Sequence, residues 1–379
     1  MGKTALGLEG GGFMDSATAA RIFHDWAYRE GLMDDPSATV ASTAAEMASI
    51  ENVTDKGMQL LRTKRVRAVG FNEAVKSVVV FTKRAAPGSK RQLAALPTMV
   101  DDVEIHYRQG VPNSIGDGPP TTQGAPAYVL RTAGTAQHYT CGSSISVGNN
   151  RDAGTLGCLV RNAAGEIFGL TNNHVSGGCS YVGVGLPIVA PGIYDVAPGN
   201  LSPFTLGFHH QALPLVAGSP DNVNPKTNLD AAIFKLLNHN IASSFQRDVY
   251  DTPSIAGPLA PGMVVEKAGR TTAHTTGTVT SQIYGANHVF YQSQLYNFSG
   301  PVYFDPLFAI AGNTVQFSDA GDSGSLITAI DTTGNRRAVG IVVGSMNDGN
   351  APGGKATLAL PIEPILAGLG VTLVSGHNV

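Results

Sequence analysis

Nowhere in the 379 residues does an apolar run reach the roughly 18 positions that a membrane-crossing helix requires. Charge is scarce as well: Asp, Glu, Lys and Arg make up 14% of the chain, against about 25% in an average globular protein. The net charge of −3 excludes a protein that is basic overall, so a nucleic-acid role would need a local patch. Cysteine is rare. Cys141, Cys158 and Cys179 are an odd set, too few for a disulfide framework; they fit a reducing compartment, with a Cys158–Cys179 bridge left open. The first twelve residues carry one lysine and lack the apolar stretch of roughly 7–15 residues that a secretory signal needs, so a cytoplasmic location is expected if the sequence is complete. Glycine, by contrast, is abundant: 46 residues, well above the usual share of about 7%. Low charge with many glycines argues for short strands and tight turns. The 42% hydrophobic content is enough to bury a core and excludes global disorder.

Charge is also unevenly spread. The first 138 residues hold 15 of the 25 Lys/Arg, and the remaining 241 residues are far more neutral. In the N-terminal part, Asp15 can cap a helix whose Ala19, Ile22, Phe23, Trp26 and Ala27 form one stripe, with Gly31 as its stop. A second helical stretch is expected over 42–61, then strands over 66–70, 77–82 and 103–107. These make a small α+β domain, residues 1–110. Ten basic residues fall between Lys56 and Arg91, with Glu73 the sole acid among them. They read as a solvated face or as contact with an acidic partner or nucleic acid; no recognition motif supports nucleic acid. Residues 111–127 are rich in Pro and Gly and read as a linker or extended crossing. From 128 to 379 short β-like runs alternate with Gly, Pro and Asn, as in an all-β barrel or sandwich.

Three segments in this β-rich part carry chemistry. They are Leu170-Thr-Asn-Asn-His-Val, Leu229-Asp-Ala-Ala-Ile and Asp319-Ala-Gly-Asp-Ser-Gly-Ser, which place His174, Asp230 and Ser323 in that order. A serine hydroxyl is a poor nucleophile at neutral pH. It needs a base to take its proton, and the base needs a third group to fix its tautomer. Asp195 and Asp221 lie in the same window, but only Asp230 leads into an apolar strand. Gly321 and Gly324 permit a tight turn that exposes the serine. The backbone N–H groups of Gly321 and Ser323 can then aim at one developing oxyanion.

The ordered trio resembles the trypsin-like, chymotrypsin-fold serine peptidases over residues 142–369. Gly321-Asp-Ser-Gly is similar to that family's nucleophile motif, and Thr171-Asn-Asn-His-Val to the histidine motif of its HtrA branch. Gly269-Arg-Thr-Thr-Ala-His and Ala153-Gly-Thr-Leu-Gly-Cys resemble an intracellular bacterial and plant subgroup, the narrow-leaf-like proteins. The resemblance implies a mainly β fold: two antiparallel six-stranded β-barrels, about 140–250 and about 260–370, following the α+β domain, with the site between them. It implies a serine endopeptidase acting on protein or peptide substrates, with no metal or organic cofactor. It places the base of the substrate pocket at Phe317 and its wall at Val343-Gly344-Ser345, favouring an apolar or small residue before the scissile bond. The family's activation cleavage sequence is missing, and so is the cysteine four residues before the nucleophile, where Asp319 stands. With 56 residues after Ser323, which the barrel itself is expected to use, the PDZ module of the HtrA branch is not expected in this sequence. A peptidase in the cytoplasm needs restraint, so the N-terminal domain is expected to regulate the site, through a partner or self-assembly, with self-cleavage in the linker as another route. The competing reading is a catalytically silent scaffold that keeps the barrels.

The remaining candidates are weaker. His209 and His210 are adjacent, so on a strand they face opposite ways, which does not suit a shared metal. Arg270 reads as a structural salt bridge more readily than as a substrate contact. Gly10-Gly-Gly lacks the Lys-Ser/Thr of a phosphate loop.

Overall fold

The computed structural model describes residues 14–33, 40–115, 120–121 and 124–379. The glycine triplet at 10–12 and the Gly-Asp-Gly-Pro stretch at 116–119 lie outside the described residues.

The N-terminal part opens with helix α1 (Ser16–Arg29). Asp15 caps it through a 2.6 Å bond from the Thr18 amide, and Gly31, at φ +64°, ends it. Its stripe of Ala19, Ile22, Phe23, Trp26 and Ala27 is buried. The expected second helix is broken into Ala44–Met47 and Asp55–Lys64. Three strands follow: β1 (Val66–Asn72), β2 (Ser77–Thr82) and β3 (Val103–Gln109). β2 and β3 are parallel over six residue pairs, and α1 packs across β1 and β2. Residues 111–115, expected as linker, begin instead with a two-residue strand, β4 (Val111–Pro112).

The first β-unit contains β5 (Ser144–Val147), β6 (Cys158–Asn162), β7 (Ile167–Thr171), β8 (Pro187–Ala190), β9 (Phe204–Ala212) and β10 (Ala232–Leu236). The second contains β11 (Val264–Gly269), β12 (Ala273–Ile283), the hairpin β13 (Asn287–Ser293) and β14 (Phe298–Phe304), then β15 (Leu307–Gly312), β16 (Leu326–Ile330), β17 (Arg336–Asn347) and β18 (Lys355–Pro361). Helix α2 (Ile362–Leu369) leads back to β19 (Val371–Leu373), which pairs with β6.

One barrel closes and one does not. In the second unit the order β11-β16-β17-β18-β15-β12 returns to β11 through six antiparallel pairs along β11 and β12, giving a closed six-stranded barrel. The first unit is an open sheet, ordered β19-β6-β7-β10-β9-β8-β5 with the short strand Gly154–Thr155 at its end. This corrects the expectation of two closed six-stranded barrels. The strand that follows β10, Ala242–Gln246, pairs in parallel with Ala136–Cys141 in a separate four-stranded sheet and so does not close the first.

The N-terminal strands are not a body apart. β1 pairs with the end of β12 at Gly70↔Ile283 and Phe71↔Gln282, so one eleven-stranded sheet runs from β3 through the closed barrel. Gly70 is needed at this junction: a Cβ there would lie 2.9 Å from the Gln282 carbonyl oxygen. The α+β part still has its own apolar cluster of Phe23, Trp26, Leu61, Val69, Val78 and Val103, separate from the barrel cores. Its basic stretch is partly used internally: Lys76 pairs with Asp102, and Arg67 donates to the His288 carbonyl at 3.0 Å.

Candidate active site

His174 follows β7 in a single wide helical turn, Asn173–Gly177, and each polar residue before it has a structural task. Thr171 Oγ1 donates to the Thr155 carbonyl (2.7 Å), Asn172 Nδ2 to the Asp230 carbonyl (2.6 Å) and Asn173 Nδ2 to the Leu213 carbonyl (2.8 Å). The Thr-Asn-Asn sequence thereby pins the turn to the neighbouring strands before the imidazole is reached.

Asp230 immediately precedes the paired part of β10 and is fully buried. Its Oδ1 accepts the His174 backbone amide at 3.0 Å, and its Oδ2 lies 2.5 Å from His174 Nδ1. A third donor was not visible in the sequence: Tyr291, on β13, gives its hydroxyl proton to the same Oδ2 at 3.0 Å. Tyr291 has no exposed surface, and its ring lies edge-on to the imidazole. Burial, with the Asp230 charge beside it, pushes the phenol well above its ordinary pKa, so the hydroxyl keeps its proton. Both carboxylate oxygens are thereby occupied, and Nδ1 of the ring is committed, leaving Nε2 for chemistry.

Ser323 sits in a turn held from both sides. Gly321 (φ +99°) and Gly324 (φ +93°) take conformations that side chains resist, and a Cβ on Gly324 would meet Thr171 Oγ1 at 2.3 Å. The buried Asp322 carboxylate, facing away, accepts from the amides of Thr271 (2.8 Å), Thr272 (3.2 Å) and Asp319 (3.0 Å) and from Thr272 Oγ1 (2.6 Å). Lys267 Nζ lies 3.4 Å from it, equally buried; burial lowers the lysine pKa, with Asp322 opposing that shift. Among the described residues these partners of Asp322 hold the turn. Thr155 then takes the carbonyls of this turn: its amide donates to Ser323 O (2.9 Å) and its hydroxyl to Gly321 O (2.9 Å). The amides of Gly321 and Ser323 have no partner among the described residues.

His174, Ser323 and Gly321 line one cleft of about 440 Å³ between the two β-units. Among the described residues no hydrogen bond joins Ser323 Oγ to His174 Nε2. The cleft is not the small neutral pocket expected. Phe317 is buried in the barrel interior with Val265, Val279 and Ile310, and Val343 is buried in another core cluster, so neither is on the wall. Gly344 and Ser345 do line it, with Val342, Ser318, Asp319 and Lys355. The last two form an ion pair (2.7 Å), and Gln316 Nε2 donates to the other Asp319 oxygen at 2.8 Å. Val343 turns its side chain into the core at an irregular step in the pairing of β17 with β18, while its neighbours Val342 and Gly344 line the cleft.

Arg270 makes a salt bridge with Asp195, which joins the second β-unit to the first. His209 is buried and His210 exposed, on opposite faces of β9. All three cysteines are free thiols, so Cys158 and Cys179 are unbridged.

A closed antiparallel barrel beside an open one, with imidazole and carboxylate on one and the serine turn on the other, is consistent with the chymotrypsin fold. No family model matches the chain. It is similar to the protein NARROW LEAF 1 of Oryza sativa subsp. japonica, a distant relative, with 28% identity over 224 residues. That match takes in 54% of this chain and 36% of the rice protein, so the chain spans about a third of that relative's length. Among solved structures it is similar to Thermobifida fusca Protease A (18% identity, TM-score 0.39, covering 62% of this chain and 98% of that one). A glutamic acid specific serine protease is another such neighbour (19% identity, TM-score 0.41, covering 62% and 100%).

Proposed function

We propose that the protein is a serine endopeptidase in which Ser323 is the nucleophile, His174 the base and Asp230 the group that orients it. In the first half-reaction Ser323 Oγ bonds to the peptide carbonyl carbon as its proton passes to His174 Nε2. The carbonyl oxygen becomes an oxyanion, received by the unpartnered amides of Gly321 and Ser323. The C–N bond then breaks, and the leaving amine takes the proton from His174. Water, losing a proton to the same nitrogen, attacks the ester carbon; the C–Oγ bond breaks, and that proton returns to Ser323. Tyr291 serves as a positioning residue, holding Asp230 Oδ2 against the imidazole.

The observation that carries this reading is the 2.5 Å His174–Asp230 contact opening onto the cleft that also holds Ser323 and its two unpartnered amides. The test is labelling of the full chain with a fluorophosphonate, compared with Ser323→Ala. Labelling of the first and not the second is expected. Folded protein that stays unlabelled would favour the scaffold reading.

In the same reading, residues 1–110 form a regulatory α+β domain and 128–379 the peptidase domain. Substrates are proteins or peptides. The Lys355–Asp319 pair on the cleft wall favours a polar residue before the scissile bond over the apolar one expected from sequence.

A further inference from the structure

Residues 111–115 do not simply cross between the two parts of the molecule. Val111 and Pro112 lie antiparallel opposite Asn347 and Met346 on β17. The Asn113 amide donates to the Ser345 carbonyl (2.8 Å), and Asn113 Nδ2 to Ser345 Oγ (2.9 Å). Ile115 then turns to the other side of the slot: its amide donates to the Phe290 carbonyl (2.8 Å), and its carbonyl accepts the Gln292 amide (2.7 Å). Its side chain is buried over Gly344, where a Cβ would lie 2.7 Å from Ile115 Cδ1.

The edge so occupied belongs to the candidate site. Further along β17, Val342 exchanges both backbone hydrogen bonds with the nucleophile turn: Gly324 N to Val342 O and Val342 N to Ser325 O, each 3.0 Å. The segment therefore runs antiparallel to β17 and toward Ser323. Asn113, Ser114 and Ile115 line the same cleft as Ser323 and His174. Downstream, Thr121 is fastened to the turn itself, its amide donating to the Ala320 carbonyl at 3.1 Å. Sheet edges with free amides and carbonyls take up extended peptide by adding a strand. Here two edges, Gly344–Asn347 and Phe290–Gln292, share one such strand between them.

We propose that residues 111–115 are an autoinhibitory strand: they occupy the edge on which an extended peptide would lie, and an incoming peptide must displace them. The proposal rests on the serine-peptidase reading only for what docking leads to; the slot and its occupant stand on the backbone pairing. The resident sequence, Val-Pro-Asn-Ser-Ile, defines the partner: an uncharged, extended segment with a branched apolar residue where Ile115 meets Gly344. Competition of this kind lowers the apparent affinity for a peptide in trans by the fraction of molecules whose slot is open.

The experiment uses the full chain and a fluorescein-labelled peptide of residues 109–115, with binding read by anisotropy. Asn113→Pro removes the amide bonded to Ser345 and the side-chain bond beside it. It is expected to bind the peptide about tenfold more tightly than the wild type; equal affinity overturns the proposal. Should that variant not fold, the pair Asn113→Cys/Ser345→Cys decides, since the native thiols are all buried. Its oxidised form, with the strand locked in, is expected to bind at least about tenfold more weakly than the same protein after reduction; no difference overturns the proposal. Fluorophosphonate labelling is recorded on the same samples. Loss of labelling everywhere would defeat the catalytic reading, whereas peptide binding alone decides the slot.

Discussion

Replacing Tyr291 by Phe removes one hydroxyl and nothing else from the centre of the candidate site. The hydroxyl is one of three donors to Asp230, 3.0 Å from Oδ2, and both residues are fully buried. A hydrogen bond to a charged group contributes about 1.5–3 kcal/mol, so unfolding in urea should show a loss within that range. His174 still donates to both carboxylate oxygens, so the site keeps its shape but holds the imidazole less firmly. If half of the lost energy appears in the transition state, the labelling rate falls by roughly four- to thirteenfold. Tyr291 is not on the cleft wall, so the loss should appear in kcat and leave KM nearly unchanged. That split separates positioning from mere support, since a purely structural loss would lower the folded fraction without changing the turnover of the folded molecules. A variant that loses stability yet keeps both its labelling rate and its kcat would refute the positioning role.

Three further outcomes follow from the same contacts. Lys267→Met leaves the buried Asp322 without its cation; breaking such a pair costs about 3–5 kcal/mol, so urea unfolding should shift by that order and Ser323 labelling should fall with it. Gly324→Ala places a Cβ 2.4 Å from the Thr155 carbonyl at a φ of +93°, so labelling should be lost while circular dichroism keeps its β signal. Asp319 is pushed up by burial but held net below the usual 3.8 by its bonds to Lys355, Gln316 and the Ala320 amide. A depressed carboxyl stabilises the fold above its unfolded pKa, and that contribution is lost as pH falls through the folded value. Melting temperatures of the wild type should therefore drop more steeply below about pH 4 than those of Asp319→Asn.

What the sequence revealed and what it hid divide along physical lines. Local signals survived well: the Asp15 cap, the α1 stripe and the β2 strand need only neighbouring residues. The three chemical segments were legible because each carries a short pattern; the structure brings His174 and Ser323 to one cleft and buries Asp230 against the imidazole. Tyr291 left no such trace. It sits in an alternating strand like any core tyrosine, and its partner lies 61 positions away; the only hint was that a buried phenol must donate to something. Thr155 and Lys267 were hidden for the same reason, since each acts on the nucleophile turn from a distant strand. Phe317, in the irregular segment before the nucleophile turn, and Val343, at an irregular step of β17, were misplaced because counting along the chain does not tell which side chains turn toward the cleft. The open first sheet was missed because strand number was inferred, whereas closure depends on register.

The shared sheet between β1 and β12 bears on any attempt at dissection. Cutting the chain near residue 110 would leave Gly70 and Phe71 on one fragment, and Gln282 and Ile283 on the other, with raw ladder edges. Unpaired edges recruit foreign strands, so each half made alone should self-associate rather than behave as a tidy module. Co-expressing the halves, which lets the two edges find each other, is then the sounder way to take this molecule apart.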